Sequence, residues 1–564
     1  MQNRITSEEY LEIIIPNDLA FRYERFSEVI PISTRNSIIT VPVELLNNCS
    51  IGEFLYSNIP SLLIPLELEA FDDTQVELTR STEGFNLRGR DVIIGFIDTG
   101  IDYTHKAFIY PDNTTRIISI WDQTIQSDTV SERVRYGSEF TREQINQALA
   151  SEDPFSVVPS KDESGHGTKM AGIAAGNEME QEGFSGIAPS TELIVVKLKE
   201  AKKALKEIMF VKEETYCFQE TDVQFAINYM VQVAQENRKP LVFCIGLGTS
   251  QDAHTGTGST SFLLSELSTR SGIGAVIAAG NEADTKRHYS GLISPTRKID
   301  EFELTVSEKD TMFFLEIWGY SSNRISIVIE SPHGEKFGPI NPTTNECIEL
   351  ELLFESTQII VNNILAETES LRQLILIRFK DAVSGVWKFR VHSLTTEQYV
   401  TYDAWLPMGD IISRETYFSN STELSTVTSP GNAGDPMTVG AYNSFTGEIS
   451  PDSGRGPNIL GTIKPDYCAP GVNLKAPIPG NLFGTFSGTS AATSVAAGCV
   501  ALIFEWAIVG DRYANLSGTG VKTLIIRGIK KSPNIVYPNN EWGYGILDVY
   551  TTIEKAIKLG VNEV

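Results

Sequence analysis

The chain runs in two hydrophobic rhythms. From Asp91 onward, short runs of consecutive apolar residues end in glycine turns, as in DVIIGFIDTG, TELIVVKL, PLVFCIGLG and GAVIAAGN. Runs this short, apolar on both faces, predict buried parallel strands. Between them, HGTKMAGIAAG, DVQFAINYMVQVAQEN and SFLLSELSTRSG carry small and apolar residues at helical spacing. Strands alternating with helices predict an α/β parallel sheet with helices on its faces. From about residue 290 to 410 the helices vanish. FELTVS, FFLEIWG, ISIVIES, TQIIVNNI, QLILIRF and VWKFRVHS follow one another with Gly, Asn, Ser or Pro between them, the spacing of an all-β sandwich or jelly roll. MTVGAYN then resumes the first rhythm, and TSAATSVAAGCVALIFEWAI predicts another helix. The β block therefore reads as an insertion. Ahead of everything, residues 1 to about 70 mix LEIII and SIITV with the helical pattern LLNNCSIGEFLYSNI and close on the extended IPLELEAFDD. The expected units are a small α+β module over 1–70, α/β parts over 71–290 and 411–564, and a β module over 291–410.

Length and composition, 564 residues with 41% hydrophobic and 21% charged, suit a multidomain globular chain. The formal charge of −26 argues against nucleic acid as a partner. Six scattered cysteines without a C-x-x-C pair, several in apolar runs, give no sign of a disulfide framework or a zinc site. The apolar core of MQNRITSEEYLEIIIPND is too short for a secretory leader, and no run looks like a membrane span of about 20 apolar residues. Synthesis in the cytoplasm, without a signal peptide, is the expectation.

Three polar residues stand at the ends of α/β elements: Asp98 closes a strand in IDTGID, His166 opens a helix in SGHGTKMAG, and Ser490 opens another in SGTSAAT. Active sites of open parallel sheets lie beyond the carboxyl ends of the strands, where such elements converge. A serine hydroxyl needs a base to attack an amide, imidazole can serve near neutral pH, and a carboxylate can hold the imidazole's tautomer. Asn281, after Gly280 in AVIAAGNEAD, could donate to an oxyanion together with the Ser490 amide. A rival reading pairs the D-T-G at Asp98 with the D-S-G at Asp452 as an aspartic-protease dyad. No apolar strand leads into Asp452, however, and the Asp98 segment belongs to an α/β pattern.

With IDTGID, GHGT, AAGNE and SGTSAA in the order Asp, His, Ser, the chain resembles the subtilisin-like serine proteases. FSGIAPSTELIVVKL, CIGLG and DSGRGP…IKPDYCAPG resemble further segments of that family. The resemblance covers roughly 91 to 290 and 425 to 550. It implies a subtilisin-like sheet, a catalytic Asp98, His166 and Ser490, an oxyanion Asn281, and substrate binding by Gly246, Leu247, Gly248, Ala279 and Gly280. It departs from the family at Ser494–Val495, where Pro-His is usual, in a lengthened loop over 199–221, and in GNEMEQEGF, which matches the family's calcium loop poorly. No cofactor is required by this chemistry, and calcium is left open. In layout the chain resembles the clostridial spore-germination Csp proteases. That likeness implies a self-cleaved prodomain retained in the cleft, a rigidifying jelly-roll insertion, a cortex-hydrolase zymogen as protein substrate, and a place in the spore. Scission is expected between about residues 65 and 80. A germinant-sensing pseudoprotease and a general degradative subtilase are the alternatives.

Overall fold

Parallel strands form the centre of the molecule in the order Met437–Asn443, Ile273–Ala278, Leu241–Ile245, Ile93–Asp98, Glu192–Lys197 and Ile117–Asp122, with Ser138–Thr141 antiparallel at one edge. The computed structural model describes residues 3–23, 27–66, 87–127, 131–344, 346–353, 356–395 and 398–561. Alternate residues of each strand serve opposite faces. Ile94, Phe96, Val242 and Cys244 join the core beneath the helices His166–Ala175 and Thr489–Phe504. Ile93, Ile97, Leu241 and Phe243 join the core beneath Glu220–Asn237 and Ser259–Ser268. From the Asp98 strand the chain runs to Ile117–Asp122, returns to Glu192–Lys197 beside it, and then crosses to Leu241–Ile245 on the other side, so the connections diverge and leave a crevice at the carboxyl end of the Asp98 strand.

Between His288 and Phe418 the chain forms two antiparallel sheets, one of six strands and one of five. Phe302 and Phe389 from one sheet and Phe313, Phe379 and Tyr402 from the other fill a common core. The N-terminal residues fold as a three-stranded sheet, Tyr10–Pro16, Asn36–Pro42 and Ile30–Pro31. The helical pattern LLNNCSIGEFLYSNI is broken into Val43–Leu45, Ser50–Phe54 and Tyr56–Asn58, because Leu55 takes a left-handed φ of 69° between the last two. The acidic part of IPLELEAFDD, from Glu67, lies outside the described residues.

Two expectations from the sequence need correction. Cys49 and Cys347, 298 positions apart, form a disulfide, with Cα atoms 5.4 Å from each other. Linear spacing cannot reveal a pair that only tertiary folding joins. Cys217, Cys244, Cys468 and Cys499 are buried free thiols. Second, Thr489–Val509 is long and apolar enough to cross a membrane, but 89% of its apolar window is buried inside the protein, so here it is a core helix.

The N-terminal sheet, the loop over 199–221 and the β module meet in one further core that includes Ile13, Leu205 and Trp318. Polar groups are buried beside it. Tyr56 donates to Glu316 (2.6 Å) and sets its ring edge-on to Trp318. Burial raises the carboxyls of Glu316 and Glu369 to about 8 and that of Asp252 to about 7. Carboxyls with raised native values favour the folded state below their ordinary range and lose that contribution as pH rises through about 7 to 8. Thermal stability is therefore expected to fall between about pH 5 and about pH 9, and to fall less in Glu316→Gln. Melting curves across that range check this; an unchanged melting temperature would reject it.

Candidate active site

Asp98 has the strand parity of Ile94 and Phe96, which delivers its carboxylate to the face where the His166 helix packs. That helix begins at His166 behind Gly165, whose φ of 79° turns the chain into it. Gly167 allows the close approach: a methyl group there would lie 2.2 Å from the Gly100 carbonyl oxygen. The result is a 2.7 Å hydrogen bond between His166 Nδ1 and Asp98 Oδ1, with both side chains buried. A carboxylate facing Nδ1 keeps the proton there and leaves Nε2 its lone pair.

Asp162, which the sequence reading passed over, fastens this pair. Its Oδ1 accepts from Thr99 Oγ1 (2.7 Å) and Gly165 N (2.8 Å), and its Oδ2 from Thr168 N (2.8 Å) and Thr168 Oγ1 (2.6 Å). One buried carboxylate thus ties the strand end at Thr99 to the helix start at His166. Its only signal in the sequence is its place four residues before the histidine.

Ser490 is the second residue of Thr489–Phe504, behind Gly488 at φ 110°. Its hydroxyl donates to the Gly246 carbonyl (3.1 Å). The His166 ring packs edge-on against Phe486, 5.4 Å between centroids, so imidazole and serine loop are in contact. Asn281 lies just past Ile273–Ala278, and its Oδ1 accepts from Thr489 N and Thr489 Oγ1, both at 3.0 Å. Thr489, also unforeseen, therefore sets the orientation of the amide. Asn281 Nδ2 is buried and has no partner among the described residues.

The substrate-binding stretch expected at Gly246 to Gly248 is occupied by the chain's own N-terminal segment. Leu62–Pro65 pairs antiparallel with Leu247–Gly248 on one side and with Phe218–Gln219 on the other. Leu66 N donates to the Gly246 carbonyl at 3.0 Å. A methyl group built on Gly488 would lie 3.0 Å from Asn281 Nδ2 and 3.2 Å from the Leu66 carbonyl oxygen, so that carbonyl and the unpartnered amide face the same small space. The Leu66 side chain is buried in the cluster that holds Ala278, Met408 and Ile411. Thr428 closes the gap between the strands: methyl groups on Gly248 and Gly280 would meet its side chain at 2.4 and 2.6 Å. Ala279 lines this region through its backbone, its carbonyl accepting from Thr428 N at 3.0 Å. Beside Leu66 and Asn281 opens a cleft of about 490 Å³, lined further by Glu282, Arg287 and Met408. Among the described residues, no group of three or more His, Cys, Asp or Glu side chains is arranged to hold a metal ion.

A sheet crevice with an aspartate, a histidine helix and a serine helix converging on it is the arrangement of a subtilase. The Peptidase S8 subtilase family pattern matches residues 89–308 and 413–545, more than half of the chain, and the chain belongs to this family of serine proteases. The matched segments pass over most of the β module. Serine protease AprX of Bacillus subtilis (strain 168) is 33% identical over 141 residues, 21% of this chain and 30% of AprX. Subtilisin-like protease SBT2.4 of Arabidopsis thaliana is 32% identical over 141 residues, 21% of this chain and 16% of that protein. The chain thus matches less than a third of the length of these curated relatives. Among solved structures, the Clostridium perfringens CspB protease superposes with a TM-score of 0.75 at 29% identity, over 84% of this chain and 95% of that one.

Replacing Asp162 by alanine would leave several buried donors unpaired. A loss of about 3 kcal/mol or more in folding stability is expected. Chemical denaturation in a Ser490→Ala background measures it, and a change below about 1 kcal/mol would contradict the fastening role.

Proposed function

We propose that the protein is an endopeptidase that works through an acyl-enzyme and first cuts its own chain between Leu66 and Glu67. In this reading Ser490 Oγ turns from the Gly246 carbonyl towards His166, gives up its proton to Nε2 and attacks the scissile carbonyl. His166 then returns the proton to the leaving amine, while Asp98 holds the ring and stabilises the imidazolium. Asn281 Nδ2 and the Ser490 amide hold the oxyanion. The observation that carries the reading is the strand Leu62–Pro65, laid between two enzyme strands as an added β-strand, with the Leu66 carbonyl and the unpartnered Asn281 amide both facing the small space beside Gly488. Residues 1–66 act as a prodomain in the substrate's place.

Mass spectrometry of recombinant protein is expected to show a new N-terminus at Glu67, with Ser490→Ala remaining full length. An intact wild-type chain would refute self-cleavage. A fluorophosphonate probe distinguishes an active enzyme from a pseudoprotease, because it labels Ser490 only when the nucleophile is activated. In subtilisin, a relative, loss of the oxyanion amide lowers kcat about 10²–10³-fold, and Asn281→Ala is expected to do the same here with little change in KM.

Leu66 as internal occupant makes a leucine-sized side chain the expected preference at the residue before the cut. Thr428 sets the depth of that pocket, so Thr428→Gly is expected to raise kcat/KM for phenylalanine relative to leucine peptides by roughly tenfold. An unchanged ratio would remove Thr428 from that role.

The likeness to CspB, whose coverage extends beyond the family segments into the β module or the N-terminal residues, supports a narrow protein substrate. We take this to be the zymogen of a spore-cortex hydrolase, with the β module rigidifying the enzyme inside the spore. Single-site cleavage of such a zymogen is the expected result; broad digestion of casein would favour a general degradative enzyme.

A further inference from the structure

The cut proposed above would sever the backbone link between residues 1–66 and the protease. It would leave one covalent link untouched. Cys49 belongs to the N-terminal side of the cut, and Cys347 opens the strand Cys347–Glu351 at the edge of the six-stranded sheet, on the other side. We propose that the Cys49–Cys347 bridge is a redox-modifiable tether that keeps the cleaved prodomain on the enzyme, and that a dithiol reductant is the reagent that frees it. The proposal rests on the self-cleavage reading.

The structure builds this junction with more than two cysteines. Beneath it lies Arg378, fully buried in the strand Arg372–Lys380. Its Nη2 donates to the Asn48 carbonyl (2.6 Å) and to Asn362 Oδ1 (2.9 Å), and its Nη1 to the Ile208 carbonyl (2.6 Å). Asn48 precedes Cys49, and Asn362 stands directly opposite Cys347 in the sheet register. One guanidinium therefore grips the neighbour of each cysteine and fixes the two within bridging distance. Both cysteines are half-buried, whereas the four free thiols are buried.

The tether acts through local concentration. Once the backbone is cut, contacts such as Tyr56 with Glu316 and Glu12 with Lys202 hold the prodomain reversibly. A short covalent connection makes each rebinding intramolecular, at an effective concentration in about the millimolar range. The blocking strand thus returns to the cleft faster than a dilute substrate can enter. Opening the bridge balances as a thiol–disulfide exchange. A thiolate of the reductant attacks one sulfur, its second thiol resolves the mixed disulfide, and Cys49 and Cys347 leave as two thiols while the reductant becomes a disulfide.

The test uses the full wild-type chain, made without reductant and with free thiols blocked by N-ethylmaleimide. Peptide mapping without reduction is expected to yield a linked peptide containing Cys49 and Cys347; two separately alkylated peptides would overturn the proposal whatever the state of residue 66. On denaturing gels the prodomain fragment is expected only after dithiothreitol, and a fragment free without it would likewise overturn the proposal. Under native conditions, reduction is expected to release the fragment on gel filtration and to raise hydrolysis of a short peptide on the order of a hundredfold. Cys347→Ser should behave as the reduced enzyme without treatment. Equal activity before and after reduction, with the fragment still bound, would show that the bridge does not govern release. An uncut chain in the reducing lane would defeat the self-cleavage reading instead, and the peptide map would still judge the bridge.

Discussion

The hydrogen bond between Asp98 and His166 is the constraint around which the rest of the site is arranged. A carboxylate and an imidazole meet at 2.7 Å, both out of contact with water. Such a pair survives desolvation only when its geometry is fixed and its neighbours are satisfied. The sheet supplies half of that geometry by carrying Asp98 to the crevice at the right parity, and the glycine at 167 supplies the other half by letting a helix begin against the strand end. Asp162 then spans the two, so that neither element can shift without breaking buried hydrogen bonds.

The same logic extends to the N-terminal residues. Glu12 and Lys202 form an ion pair with almost no exposure, and Gln219 donates to the second Glu12 oxygen at 2.8 Å. Burying two charges favours specificity of seating more than affinity, because a misplaced partner leaves an unpaired charge inside the protein. Glu220 and Gln251 add direct contacts to the backbone at Ser61 and Leu62. The segment beside Leu247–Gly248 is thus held by side-chain contacts as well as by its strand pairing.

How much of this was legible in the sequence differs by the kind of signal. The strand runs and the DTG, GHGT, GNE and SGTS strings are local; the fold sets Asp98 against His166, Ser490 against Gly246 and Asn281 against Thr489. The family, shown by comparison, follows from the same local strings. Residues that act across long separations left no local trace. Thr489 was not singled out, yet it orients Asn281 from 208 positions away. Trp405, which no sequence motif marked, lies stacked between His254 and His288, with ring centroids at 4.0 and 4.5 Å. Cys49 and Cys347 appeared unrelated because spacing along the chain carries no information about which edge strand will pass which loop. Local pattern predicts elements; the partners of an edge, a cap or a thiol are decided only when the elements dock.

The position of Ser490 along the chain has a consequence for the order in which the molecule is made. A growing polypeptide presents the strand Leu62–Pro65, then its two flanking partners at Phe218 and Leu247, then the whole β module, and only afterwards the serine. The strand Leu62–Pro65 and both of its pairing partners therefore exist before Ser490 is made. On the ribosome, no stage of synthesis exposes a finished cleft without the segment that fills it.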